Sequence, residues 1–132
     1  MTRPITTSTR PTVSLPLALQ LDAVVTGANG LAYLAGASVL DGLLGLPATP
    51  MRAVGAFLLV YAAAVGFLGT RRPVPTAAAW AVVAVNALWA ADSVVAAAVD
   101  LGSPTTTGAV WMVLQAVVVA GFAAVQAAAL RR

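Results

Sequence analysis

The sequence predicts an all-α integral membrane protein: a four-helix up-down bundle built from two tandem hairpins, with both termini in the cytoplasm. The chain of 132 residues is 61% hydrophobic and 8% charged, whereas about a quarter of the residues in soluble domains are charged. Its seven arginines and four aspartates leave long uncharged apolar segments, at about 23–40, 53–70, 73–91 and 101–130. A helix of about 20 apolar residues crosses a bilayer, so each segment is long enough for one span.

The first half of the chain supplies a tail and two helices. Residues 1–14, rich in Thr, Pro and Arg, are predicted to be a mobile cytoplasmic tail, and residues 15–132 the transmembrane domain. The first helix is predicted from about Leu15 to Leu43, ended by Gly42, Gly45, Pro47 and Pro50. We expect this helix to be retained, because the apolar run is longer than that of a signal peptide. The second helix is predicted over about 51–69, ended by Arg71-Arg72-Pro73.

The second half repeats this plan. The third helix is predicted over about 76–99, closed by Gly102-Ser103-Pro104, and the fourth over about 107–130, before Arg131-Arg132. Asn29-Gly30-Leu31 matches Asn86-Ala87-Leu88, and Gly45-Leu46-Pro47 matches Gly102-Ser103-Pro104 at the same offset. The matches favour a tandem repeat of two hairpins, which would place a pseudo-twofold axis along the membrane normal.

The arginines predict the orientation. Arg3 and Arg10 lie in the tail, Arg71-Arg72 between the second and third helices, and Arg131-Arg132 at the end. Arginine is enriched in cytoplasmic loops. These three regions are therefore expected in the cytoplasm, and the other two links outside.

Polar residues inside apolar spans are costly, so each is a candidate for function. Asp22, Thr26, Asn29 and Tyr33 follow helical spacing along one face; Asn86 and Trp89 share a face on the third helix, with Asp92 at its edge; Gln115 and Gln126 share a face on the fourth. The predicted ligand-binding residues are Asp22, Asn29, Tyr33, Asn86, Trp89 and Asp92. Two interpretations stay open: these residues bond helices to one another, which we favour, or they line a polar cavity.

More specific expectations follow for some of these side chains. Asn29 and Asn86 are expected at similar depth, hydrogen-bonded to each other. Asp22 is expected to reach water or a cytoplasmic arginine. Asp92 is expected to be protonated or paired with Arg52, and we favour the pair. Trp80 and Trp111 are expected to lie at the membrane interfaces.

Composition excludes several kinds of chemistry. The chain contains no Cys, His, Lys or Glu, so it lacks thiols, the commonest metal ligand and general base, and a Schiff-base amine. No catalytic residue, metal site or cofactor is predicted, and the protein is not expected to be an enzyme. The arginines lie at the ends of apolar segments rather than on one face, which does not favour a nucleic-acid partner.

From Leu21-Asp22 to Arg132 the chain resembles small bacterial, especially actinobacterial, four-helix membrane proteins of unknown function. The resemblance rests on Asn86-Ala87-Leu88-Trp89, on Gln115 and Gln126, and on the final Arg131-Arg132. These proteins are distantly similar to the DoxX-like families. The resemblance implies the four-helix membrane fold and little about function.

Three functions remain open at the level of sequence. The favoured one is a non-enzymatic subunit or scaffold of the bacterial inner membrane, with the lipid bilayer and a second copy or another membrane protein as partners. The second is a binder or carrier of a lipid or small hydrophobic molecule. The third is a proton- or ion-coupled transporter that uses Asp92.

Overall fold

The computed structural model describes residues 14–99 and 104–132, and these form four α-helices without a strand. The helices are α1 (Leu15–Leu44), α2 (Ala48–Thr70), α3 (Thr76–Ala98) and α4 (Thr106–Arg131). All four are long and apolar enough to cross a membrane; even the 23-residue α2 and α3 are about 35 Å long. The predicted all-α, four-span fold is confirmed. Most of the predicted tail (1–13), and residues 100–103 with Asp100, lie outside the described residues.

The helices pack in an order that leaves one side of the bundle loosely closed. Helix α1 packs extensively on α2 and also on α4, and α4 packs on α3, whereas α2 and α3 touch little. We call the end formed by the start of α1, the end of α2, the start of α3 and the end of α4 the arginine end, because it carries Arg71, Arg72 and Arg131. The opposite end is called the Thr105 end.

The outer surface of the bundle is apolar. Large hydrophobic side chains are more than half exposed on every helix, among them Val39, Val60, Leu88 and Val117. In water such a surface would be unfavourable by roughly 25 cal/mol per Å², whereas lipid chains solvate it. The exposed surface therefore fits the spans that length and hydropathy indicate.

Helix α2 begins earlier than the sequence predicts. It starts at Ala48 after the N-cap Pro47, so Pro50 lies within its first turn instead of ending α1. Proline is tolerated there because the first N–H groups of a helix have no partner inside the helix. Gly45 ends α1 in the left-handed conformation (φ 71°), and its N–H donates to the Asp41 carbonyl at 2.9 Å.

Thr105 joins the two hairpins at the end of the bundle that bears its name. Its N–H donates to the Leu44 carbonyl at 3.0 Å, and its hydroxyl donates to the Leu43 carbonyl at 2.7 Å. The same hydroxyl oxygen accepts the Gly108 N–H at 3.0 Å and so caps α4. One side chain thus serves the last turn of α1 and the first turn of α4, where backbone groups otherwise lack partners.

Two glycines allow α1 and α2 to touch backbone to backbone. A Cβ atom on Gly30 would lie 2.8 Å from the Gly55 carbonyl oxygen, and one on Gly55 would lie 2.7 Å from the Gly30 carbonyl oxygen. Neither position accepts a side chain without a shift of backbone. Small residues at such crossings let transmembrane helices approach closely.

Candidate functional site

The interior of the bundle contains a hydrogen-bonded network around Asp22, to which every helix contributes at least one polar side chain. Asp22 is 2% exposed. Its Oδ2 accepts from Asn86 Nδ2 at 2.8 Å and from Gln126 Nε2 at 2.8 Å, and its Oδ1 accepts from the Thr26 hydroxyl at 2.9 Å. The Tyr61 hydroxyl completes the set by donating to Asn86 Oδ1 at 3.1 Å. We call these five residues the Asp22 network.

Helical geometry explains why these groups meet. Asp22 lies about 10 Å along α1 from Leu15 at the arginine end, and Thr26 follows one turn later on the same face. Gln126 lies about 8 Å from the last residue of α4, which ends at the same side of the bundle. Asp22 and Gln126 therefore lie at similar distances from the arginine end on two antiparallel helices, so their side chains can meet.

Asn86 is the hub of the network. Its amide nitrogen donates to Asp22 and also to Gln126 Oε1 at 3.1 Å, while its carbonyl oxygen accepts from Tyr61. It is 3% exposed. Because α2 and α3 touch little elsewhere, the Tyr61 hydroxyl, which also lies 3.4 Å from the Val82 carbonyl, is their main polar connection.

A second polar cluster lies further along the bundle. The Tyr33 hydroxyl oxygen accepts from Trp111 Nε1 and from Gln115 Nε2, both at 2.7 Å. Tyr33 is separated from Asp22 by about 16 Å along α1. We call Tyr33, Trp111 and Gln115 the Tyr33 cluster.

Two hydrogen-bonding groups of the Tyr33 cluster, the hydroxyl proton of Tyr33 and Oε1 of Gln115, have no partner among the described residues. A phenol can donate one hydrogen bond as well as accept, and no acceptor for the Tyr33 proton is found among the described residues. Gln115 Oε1 likewise receives no donor from the described part of the chain. Since no fully buried polar side-chain atom in the described residues lacks a partner, Gln115 Oε1 keeps some exposed surface.

A cavity of about 730 Å³ lies between the four helices. Its walls are mostly aliphatic and aromatic, and they include Phe57, Trp89 and Leu114. Thr26, Tyr61 and Asn86 of the Asp22 network line it, as does the whole Tyr33 cluster. A largely apolar cavity with a few polar groups is the usual form of a small-molecule site.

The structure brings together most of the predicted site residues. Asp22, Asn86 and Tyr33 are buried and hydrogen-bonded, in the two clusters described. Trp89 is partly buried, lines the cavity and packs against the core cluster formed by Tyr33, Ala37, Met51 and Leu58. Asn29 is half-buried and also lines the cavity, without a side-chain hydrogen bond to any described residue.

Asp92 lies apart from the others. It is exposed on α3 and lines neither cluster nor cavity, and Arg52 is exposed on α2. No ion pair joins the two among residues 14–99 and 104–132, so the expected pair within one chain is wrong. The physical reason is the loose α2–α3 contact, which leaves both side chains on the outer surface.

Two other expectations are also corrected. Asn86 bonds Asp22, Gln126 and Tyr61 rather than Asn29, because the network occupies its whole amide. Asp22 is only 2% exposed, and among the described residues its carboxylate accepts from amides and a hydroxyl rather than pairing with an arginine. The two asparagines of the sequence match are thus not structurally equivalent.

Several side chains of the two clusters were not among the predicted ligand-binding residues. Gln126 belongs to the Asp22 network and Gln115 to the Tyr33 cluster. Their spacing, which puts both on one face of α4, could have identified them from the sequence. Trp111, expected at a membrane interface, turns inward to donate to Tyr33. Tyr61 could have been identified because it is the main polar residue of its span. Among the described residues, no three His, Cys, Asp or Glu side chains gather as a metal site.

Comparison with protein-family models, with curated proteins and with solved structures gives no match to this chain.

Proposed function

We propose that this small membrane protein binds a small amphipathic molecule in the cavity between its four helices. The observation that carries the proposal is the cavity itself, about 730 Å³ of mainly apolar space beside the unused hydrogen-bonding groups of the Tyr33 cluster. The binder takes precedence over the scaffold favoured by sequence alone, because a scaffold needs no such space.

The polar groups indicate how a ligand would be oriented. A ligand hydroxyl could donate to Gln115 Oε1 and accept the Tyr33 proton, because both residues line the cavity and neither group has a partner among the described residues. An apolar tail would pack on the aliphatic and aromatic walls, which include Phe57, Trp89 and Leu114. Burial of the tail supplies affinity and the polar pair supplies orientation.

We place this activity in the bacterial inner membrane, with the arginine end in the cytoplasm, as a binding function without catalysis. Arginine is enriched on the cytoplasmic side of membrane proteins, so the arginines at this end of the bundle support the orientation. The distant DoxX-like resemblance is compatible with the proposal.

The test uses 12-bromododecanol, whose bromine quenches tryptophan fluorescence on contact, with the protein in lipid nanodiscs. Trp89 and Trp111 line the cavity, whereas Trp80 is 37% exposed on the outer surface, so Trp80→Phe serves as the parent chain. We expect saturable quenching in the parent. Ala32→Phe, which fills part of the cavity wall, should weaken binding at least about tenfold, or 1.4 kcal/mol.

The matched control is Ala35→Phe, since Ala35 is exposed on α1 but outside the cavity. It should bind the alcohol as the parent does. Quenching that rises linearly without saturation, or that is equal in all three chains, would contradict the proposal.

A second candidate, a homo-oligomeric membrane subunit, is favoured by Asp92. A carboxylate on the lipid-facing surface of a span is costly, and Asp92 lies exposed about 9 Å from the end of α3. Arg52 is exposed at the same end of the bundle, about 6 Å from the start of α2. A second copy could bring Arg52 against Asp92 and remove both charges from lipid.

A further inference from the structure

The Asp22 network contains a carboxylate that has no basic partner within the described part of the chain. Its three hydrogen-bond donors, from Thr26, Asn86 and Gln126, are all neutral. The sequence contains no Lys or His, and every arginine in the described part of the chain lies in a loop or within about two turns of a helix end. A buried carboxylate needs a compensating charge, from a cation or from a proton.

The Asp22 network places negative charge close to the cavity wall. Asn86 points its amide nitrogen at Asp22 Oδ2, at 2.8 Å, so its carbonyl oxygen lies at the opposite edge, beside the Tyr61 hydroxyl. Asn86, Tyr61 and Thr26 all line the cavity. Asp22 stands directly behind this wall, and its field is weakly screened in so apolar a setting.

The aromatic walls favour the same kind of ligand. Phe57 and Tyr61 stack with ring centroids 6.0 Å apart, and both line the cavity together with Trp89. Aromatic faces attract cations, most strongly where water is excluded. No arginine of the described chain lines the cavity, so nothing there would repel a positive charge.

We infer that the preferred ligand of this cavity is a lipophilic cation, such as an alkylammonium. Its positive head lies against Asn86 and Tyr61, away from the Tyr33 cluster that would receive a hydroxyl, and is held by the charge of Asp22. This inference rests on the proposed function, because it names the class of molecule that the cavity binds. Asp22 acts through Asn86 and is a positioning and selectivity residue, since the wall separates it from the ligand.

The experiment compares two probes that differ only in the head group, 12-bromododecyltrimethylammonium and 12-bromododecanol, in the Trp80→Phe chain. We expect the cation to bind at least about tenfold more tightly than the alcohol, which is 1.4 kcal/mol. Asp22→Asn removes the charge and keeps the size. Its Oδ1 can accept from Asn86 and Gln126 while its Nδ2 donates to Thr26.

In Asp22→Asn the preference for the cation over the alcohol should fall to near unity. Asp22→Glu, which keeps the charge, should retain the preference. Asp92→Asn removes an aspartate outside the cavity and controls for general attraction of cations to the protein, so it should also retain the preference.

The outcomes separate the two proposals. Saturable binding of both probes with equal affinity, or a preference that survives Asp22→Asn, overturns the cation inference and leaves the binding function standing. Absence of saturable quenching by either probe overturns both. If Asp22→Asn fails to bind the alcohol, the Asp22→Glu variant provides the test. An Asp22→Glu protein that still binds the alcohol but has lost the preference for the cation contradicts the inference.

Discussion

At the scale of residues, four polar side chains, one from each helix, hold each other in a mainly apolar interior. Asp22, Tyr61, Asn86 and Gln126 are joined by short hydrogen bonds. Lipid chains are as apolar as leucine, so apolar contact alone does little to bring transmembrane helices together, and packing and polar bonds matter more. Asn86, which makes three of these bonds, is therefore expected to contribute more to stability than the other asparagine of the sequence match.

Replacement of Asn86 by leucine should destabilise the fold by about 1–3 kcal/mol, because the donors and acceptors of Asp22, Gln126 and Tyr61 lose a partner. The measurement is reversible unfolding in mixed micelles by increasing SDS, followed by helical circular dichroism. Asn29→Leu is the matched control, since Asn29 makes no side-chain hydrogen bond with the described residues and should change stability by less than about 0.5 kcal/mol. Equal losses in the two variants would contradict a special role for Asn86.

At the scale of elements, two spacings on antiparallel helices explain the two polar clusters. Asp22 and Tyr33 are separated by about 16 Å on α1, and Gln126 and Gln115 by the same distance on α4. Because α1 and α4 run in opposite directions, Asp22 meets Gln126 and Tyr33 meets Gln115. The equal spacing was visible in the sequence, whereas the pairing of these two helices was not.

The crossing of α1 and α2 depends on Gly55. In Gly55→Ala the new Cβ would lie 2.7 Å from the Gly30 carbonyl oxygen and from the Leu34 amide nitrogen, so the two backbones must separate. We expect a loss of about 1–3 kcal/mol in SDS unfolding. Gly42→Ala is the control: a Cβ there meets nothing within 4 Å, and alanine favours a helix. It should leave stability unchanged or slightly raised, and a loss equal to that of Gly55→Ala would refute the crossing.

At the scale of the whole molecule, the outer surface carries two opposite charges that do not pair with each other within one chain. Asp92 and Arg52 are both exposed toward the Thr105 end, on helices that touch little. An isologous dimer would pair each with its counterpart on the second copy, because a twofold axis makes both contacts at once.

The chain contains no cysteine, so disulfide cross-linking tests this dimer directly. We co-express chains bearing Arg52→Cys with chains bearing Asp92→Cys and oxidise the membranes. The expected result is a cross-linked dimer on a non-reducing gel. Gly42→Cys replaces Arg52→Cys in the control, since Gly42 is exposed at the same end of the bundle, and it should give little dimer. Equal yields from the two pairs would show random collision rather than an interface.

The sequence alone determined which segments cross the membrane and which polar residues lie within them. Span length, sparse charges and turn residues located the four helices to within about three residues, because apolar helices must match the thickness of the bilayer. They also marked Asp22, Tyr33 and Asn86 as candidates, since polar groups in a span are costly unless they serve a purpose.

Only the tertiary structure decided which of those polar groups meet. Helix order placed Gln126 rather than Asn29 against Asn86, turned Trp111 inward and left Asp92 outside. It also opened the cavity beside the loose contact between α2 and α3. The physical reason is that one helix has several faces of similar hydrophobicity in lipid, so its neighbours are chosen by contacts between residues far apart in the chain, such as Gly30 with Gly55 and Asp22 with Gln126.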